Sequence, residues 1–254
     1  MNSLFDVSQK VVCIAGGSRG LGKAIAESFA EAGAKLIIGS WDKGEIESVT
    51  VQMKSKGLSV EGLVVDVSNK NDCEKLVNFA VATYGHIDVM ICNAGIDIIK
   101  PAEDYEEDEW NQILDINLKG AFFCAQFAYI PMLSRQKGSI ILTTSIAGAH
   151  GIPGLAPYAA SKGGMNMLVK TMASEWATRG VRVNAVAPGY IDNIMADVDG
   201  NEETEYQKRA MSRTPMGRRG SLGEFVGAYI FLASEASSYI TGSTIYVDGG
   251  YHAS

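Results

Sequence analysis

The sequence predicts an α/β protein, a single doubly wound parallel sheet of about seven strands with helices on both faces. Three observations carry this. Short apolar runs alternate with amphipathic helical stretches along the whole chain, the pattern of parallel β-α-β units. The first run, Lys10-Val11-Val12-Cys13-Ile14-Ala15, passes straight through Gly16-Gly17-Ser18-Arg19-Gly20-Leu21-Gly22 into a helical pattern that begins at Lys23. Finally, 254 residues with 46% apolar content suffice for one large domain, expected to span 1–254, and no repeat, low-complexity tract or Pro/Ser linker marks a second.

Strands are expected over 10–15, 35–39, 59–66, 87–92, 139–145, 181–187 and 243–247. Helices fill the gaps, long ones over 107–133 and 157–179, and right-handed crossovers place them on both faces. The opening strand, glycine turn and helix form the context of a dinucleotide site. Glycines let the chain turn tightly and admit a pyrophosphate to a helix N-terminus, where unpaired N–H groups and the dipole favour an anion. Open parallel sheets bind ligands at the carboxyl ends of their strands. Asn93 follows the fourth strand, Ser145 ends the fifth, and Pro188-Gly189 follow the sixth.

The chemistry is read from Tyr158-Ala159-Ala160-Ser161-Lys162, a phenol and an ammonium four residues apart on one helical face. A phenol near pKa ~10 is a poor base at neutral pH, and a neighbouring Lys⁺ stabilises its phenolate. That is proton-transfer chemistry on an alcohol or ketone. Tyr158 and Lys162 could also be a plain surface pair, and Ser145 a turn cap; together with the upstream glycine loop the three favour catalysis.

A net charge of −7 argues against nucleic acid or an anionic membrane as the main partner. The N-terminus lacks a signal pattern, and the apolar stretch 121–133 is interrupted by Gln126 and Pro131, so a cytoplasmic protein is expected. Cys13, Cys73, Cys92 and Cys124 show no metal-ligand spacing and read as reduced structural thiols, and no metal is expected.

At this point the chain resembles the classical short-chain dehydrogenase/reductases, over essentially its whole length. The matching pieces are Gly16-x-x-x-Gly20-x-Gly22, Asp66-Val67, Cys92-Asn93-Ala94-Gly95, Asn117, Ser145, Tyr158-x-x-x-Lys162 and Pro188-Gly189. Two positions depart: Ala15 replaces the usual Thr and Cys92 the usual first Asn, both read as lost supporting hydrogen bonds. The resemblance implies a Rossmann-type fold in which Ser145 hydrogen-bonds the substrate oxygen, Tyr158 exchanges the proton, and Lys162 binds the nicotinamide ribose and keeps Tyr158 acidic. It implies that Asn117 holds a water leading to solvent; a helix residue bonded to a backbone carbonyl is the plain structural alternative. Gly16, Ser18, Gly20, Leu21, Gly22, Asn93, Ala94 and Gly95 line the cofactor, Asp66 and Val67 flank its adenine, Ile191 meets the carboxamide, and Asn193 stands where a carboxamide-binding Thr is common. The acidic stretch 191–213 corresponds to the family's substrate lid; a solvated helix-loop would look the same.

For the cofactor, an acid ending the second strand would bind the ribose 2′-hydroxyl and repel a 2′-phosphate. Ser40 holds that position, followed by Trp41 and Asp42, and Arg19 resembles the basic residue of NADP-preferring relatives. NADP(H) is therefore expected, with NAD(H) open because Asp42 could still reach the ribose. The C-terminal half resembles the branch acting on sugar acids, polyols and keto-sugars. A 3-oxoacyl-carrier-protein reductase is the nearest alternative, against which stand Ser139 and Ser174 at positions where those enzymes present Arg to the carrier. A non-catalytic nucleotide-binding regulator is the alternative of another class. The two long helices carry apolar residues on more than one face, including Phe122, Phe123, Phe127, Met165, Met167, Leu168 and Met172. The resemblance implies that these helices form one interface and the C-terminal strand with Tyr251 a second, giving a homotetramer, whereas burial of the same residues under neighbouring loops would permit a monomer.

Overall fold

The computed structural model describes residues 3–192 and 211–254. Seven strands form one parallel sheet: β1 (Val11–Ala15), β2 (Lys35–Ser40), β3 (Val60–Val64), β4 (Val89–Cys92), β5 (Gly138–Thr143), β6 (Val181–Pro188) and β7 (Thr244–Val247). Their order is β3-β2-β1-β4-β5-β6-β7. Between them run α1 (Gly20–Glu31), α2 (Lys43–Ser55), α3 (Lys70–Tyr84), α4 (Glu107–Leu114), α5 (Ala121–Arg135), α6 (Ala156–Trp176) and α7 (Leu222–Ala233). This is the expected doubly wound, Rossmann-like arrangement.

Alternation along each strand divides the core in two. Val12 and Ile14 of β1 join Leu36, Ile38, Val89 and Ile91 under α1, α2 and α7. Cys13 and Ala15 turn the other way, with Ile37, Met90, Ile140 and Leu142, under α3, α5 and α6. Because both faces are covered, the central strands read as unbroken apolar runs. All four cysteines are free and buried, and desolvation pushes the Cys13 thiol up to about 12, which leaves it inert.

Several sequence expectations change. The stretch 107–133 is not one helix: α4 and α5 are joined by a π-helical segment, Asp115–Gly120, whose wider turn carries Asn117. β5 stops at Thr143, so Ser145 lies past the strand rather than ending it; Thr144 N still donates to Val186 O at 2.8 Å before the chain enters a 3-10 turn. β3 stops at Val64, leaving Asp66 in the following loop. Met165 and Met172 pack into the core beneath α6 instead of facing outward, although Met167, Trp110 and Ile130 remain exposed. Tyr251 likewise lies inside the subunit, against Ile146, Ala147, Ile152 and Leu155. Asn193 and most of the stretch 191–213 expected as a lid lie outside the described residues.

Candidate active site

The carboxyl ends of β4 and β5 and the first turns of α6 meet at one point. Lys162, buried in α6, donates from Nζ to Thr143 O at 2.8 Å, so the last residue of β5 fixes its side chain. Removal from water disfavours the ammonium and brings its pKa down to about 8, with the Asp97 carboxylate pulling the other way. Tyr158 stands one turn earlier on the same helix, and Lys162 Nζ lies 5.5 Å from its ring centroid. Pro157 in the first turn suits the start of this helix, because proline has no N–H to leave unpaired.

Asn117 is wholly buried. Its Oδ1 accepts from Ile96 N at 2.9 Å, while Nδ2 donates to Ile96 O at 2.9 Å and to Ser161 Oγ at 3.2 Å. Ser161 in turn donates to Tyr158 O at 2.7 Å. The amide thus ties the loop after β4 to the helix bearing Tyr158 and Lys162, and its hydrogen bonds go to protein groups. A Cβ on Gly95 would sit 3.3 Å from Asn117 Oδ1 and 3.4 Å from Lys162 Nζ, so the two polar heads converge over Gly95. Ser145 accepts from Ala147 N at 3.1 Å and caps the 3-10 turn Ile146–Gly148. That bond uses one lone pair and leaves the hydroxyl proton to be donated elsewhere.

Two supporting residues escaped the sequence reading. Thr143 holds Lys162 through its carbonyl and faces the buried Tyr229 phenol through its hydroxyl at 2.9 Å. Burial pushes that phenol above its ordinary range, so Tyr229 stays protonated under the site. The signal was a phenol within the apolar run of α7.

At the other end of the groove the backbone dominates. Gly16 has φ +81°, and a Cβ there would come within 2.6 Å of the Ala94 backbone; one on Gly22 would fall 1.8 Å from Gly16 O. Asn93 Nδ2 donates to Gly16 O at 2.9 Å, and Asn93 N and Ala94 N both donate to Ala15 O. The β4 loop and the glycine loop therefore hold each other. Cys92 Sγ donates to Ala121 O at 3.5 Å. Arg19 occupies the N-cap of α1 without making a side-chain cap, and Gly20 follows with φ +52°. The N-terminus of a helix reached through such a glycine turn fits a dinucleotide pyrophosphate. Leu21 points its side chain into the core, so only its main chain is available to a ligand.

Toward the expected adenosine end, Ser18 and Ser40 are buried with their hydroxyl oxygens 2.8 Å apart, while Trp41 is 67% exposed. Asp42 is not free to reach a ribose: its Oδ1 accepts from Glu45 N at 2.8 Å and caps α2. Asp66 accepts from Ser68 N, and Val67 is buried against Gly120. Pro188 closes β6, Gly189 passes so near Asp248 that a Cβ would meet its Cα at 2.7 Å, and Ile191 bridges to Gly220. Ser139 proves to be a core position, donating to Leu232 O, so it carries no weight against a carrier-protein partner. Ser174 is exposed. Among the described residues no cluster of three His, Cys, Asp or Glu could hold a metal, and no helix is long and apolar enough to cross a membrane.

Residues 15–252 match the family described as Enoyl-(Acyl carrier protein) reductase. The chain is 38% identical over 252 residues to a sorbose reductase of Candida albicans, covering 98% of this chain and 89% of that one. It is 38% identical over 241 residues to a 3-oxoacyl-[acyl-carrier-protein] reductase of Thermotoga maritima, covering 95% and 97%. The crystal structure of a gluconate 5-dehydrogenase from Burkholderia cenocepacia in complex with NADP and tartrate superposes with a TM-score of 0.93 at 34% identity, covering 99% and 98%. By whole-length similarity and by fold, the chain belongs to the short-chain dehydrogenase/reductase family, oxidoreductases that interconvert alcohols and carbonyl compounds with a nicotinamide cofactor.

Proposed function

We propose that the whole chain acts as one catalytic unit that interconverts a secondary alcohol and a ketone on a small polyhydroxylated compound, a sugar acid, polyol or keto-sugar, with NADP(H) favoured over NAD(H). The observation that carries the catalytic assignment is Lys162, a buried ammonium held by Thr143 O one turn beyond Tyr158. The nicotinamide, when bound, supplies or accepts the hydride. Tyr158 gives its phenolic proton to the substrate oxygen in reduction and removes it in oxidation. Lys162 lowers the cost of the phenolate, and its own reduced pKa of about 8 leaves it charged through neutral pH. Ser145 donates its remaining proton to the same oxygen, so that charge developing there meets groups already in place. Asn117 positions Tyr158 and Lys162 by tying Ser161 of their helix to Ile96.

Support for NADP(H) comes from Arg19 beside the glycine loop, the absence of an acid at Ser40, and the NADP in the Burkholderia relative. The polyol reading draws on that relative and on the Candida reductase. The Thermotoga relative supports a 3-oxoacyl-carrier-protein substrate to the same degree. Consumption of NADPH across a panel of keto-sugars, sugar acids and 3-oxoacyl thioesters separates the two readings, and binding without turnover on every compound would favour a regulator. We further assign the protein to the cytoplasm and to a homotetramer, the latter supported by exposed Trp110, Ile130 and Met167 on α4, α5 and α6. Tyr158→Phe is expected to reduce turnover at least a thousandfold, within the roughly 10²–10⁴ range of general acid–base catalysis, while leaving NADPH affinity unchanged. Near-normal turnover in that variant, measured by absorbance of the reduced cofactor, would overturn the mechanism.

A further inference from the structure

Cofactor choice in such sites is made at the carboxyl end of the second strand, where an acid holds the ribose 2′-hydroxyl or a guanidinium holds the 2′-phosphate. In this chain β2 ends in Ser40, yet a carboxylate reaches the place from elsewhere. Glu45, in the first turn of α2, lies with Oε2 2.7 Å from Ser18 Oγ and Oε1 3.7 Å from Arg19 Nη1. Since a carboxylate only accepts, Ser18 donates to Glu45, and Ser40, 2.8 Å away, donates to Ser18. Asp42 fixes the backbone of Glu45 through its cap. A glutamate in a first helical turn ordinarily interacts with the helix dipole and extends into water. This one is turned back onto a buried hydroxyl pair and the guanidinium expected to serve a 2′-phosphate.

We propose that Glu45 is a cofactor-specificity residue, supplying from α2 the carboxylate that β2 lacks. In the free protein it occupies Arg19 and Ser18. A 2′-phosphate carries about −1.5 to −2 charges at neutral pH, so it must take Arg19 from Glu45 and approach a like charge. A 2′-hydroxyl requires no exchange and finds an acceptor. The site thereby keeps NADP(H) while admitting NAD(H), a balance set by one side chain. This rests on reading the glycine loop as the nucleotide site.

The test is calorimetric titration of the intact protein with adenosine 2′,5′-bisphosphate and with 5′-AMP, comparing wild type with Glu45→Gln, which keeps length and an acceptor for Ser18 but removes the charge. The bisphosphate is expected to bind on the order of five- to tenfold more tightly to Glu45→Gln, while 5′-AMP binds equally or more weakly. The shift in their ratio should shrink between 0.1 and 1 M salt, as the Debye length falls from about 10 to about 3 Å. Should Glu45→Gln not fold, Glu45→Ala gives the same readout. An equal change for both ligands, or a ratio within twofold of wild type, overturns the proposal. Binding of neither ligand by wild type overturns the nucleotide reading and the proposal with it.

Discussion

At the glycine loop a bound dinucleotide would meet mainly backbone, whereas at the end of β5 a substrate would meet side chains gathered from separate elements. The loop is specified by residues that have nothing to lose: Gly16 and Gly22 leave no room for a Cβ, and the turn from β1 into α1 follows from contiguous sequence. The proposed catalytic end is the reverse. Asn117 comes from a π-helical segment, Ser145 from a 3-10 turn, Tyr158 and Lys162 from α6, and Thr143 from β5. Local geometry suffices to accept an anion at a helix N-terminus, while moving a proton requires groups whose burial and mutual distances are set by the whole fold.

The largest way to break this contrast is Gly22→Ala. Its methyl would fall 1.8 Å from Gly16 O, so the loop must open. NADPH affinity, followed by tryptophan fluorescence, should fall at least a hundredfold; a fall below threefold would mean that the loop accommodates side chains and does not depend on bare backbone.

Lys162→Met probes the other end. Turnover should be lost, yet stability should hold or rise, because a buried ammonium is exchanged for an apolar chain of similar length. The pH dependence has a definite sign. With a folded pKa of about 8, below the unfolded reference of 10.5, the folded state binds fewer protons between those values. Stability from this group therefore rises with pH from about 8 toward 10.5, and its penalty is fully present below 8. Urea midpoints between pH 7 and 9.5 should show that rise in wild type and a smaller one in Lys162→Met. Identical slopes would mean that Lys162 is not desolvated.

Asp42→Ala gives the smallest effect. Loss of the cap on α2 should cost roughly 1 kcal/mol in denaturant unfolding. An unfolding midpoint equal to that of wild type would show that the bond from Glu45 N to Asp42 does not hold the helix end.

The sheet and the placing of Tyr158 beside Lys162 were legible in the sequence. Apolar runs alternating with amphipathic helical stretches are the pattern of parallel strands covered on both faces, and the glycine loop is legible because its constraint is steric and local. Tyr158 and Lys162 were legible because helical spacing alone puts them on one face. Contacts between residues distant in the chain came only with packing. Burial of Lys162 depends on Thr143 O and the Asn117 region. Only packing turned Met165, Met172 and Tyr251 inward and widened the helix at Asn117. It also carried Glu45 back onto Ser18, 27 positions earlier. Periodicity and spacing report which face a residue occupies, but desolvation, partner choice and pKa belong to the assembled three-dimensional neighbourhood.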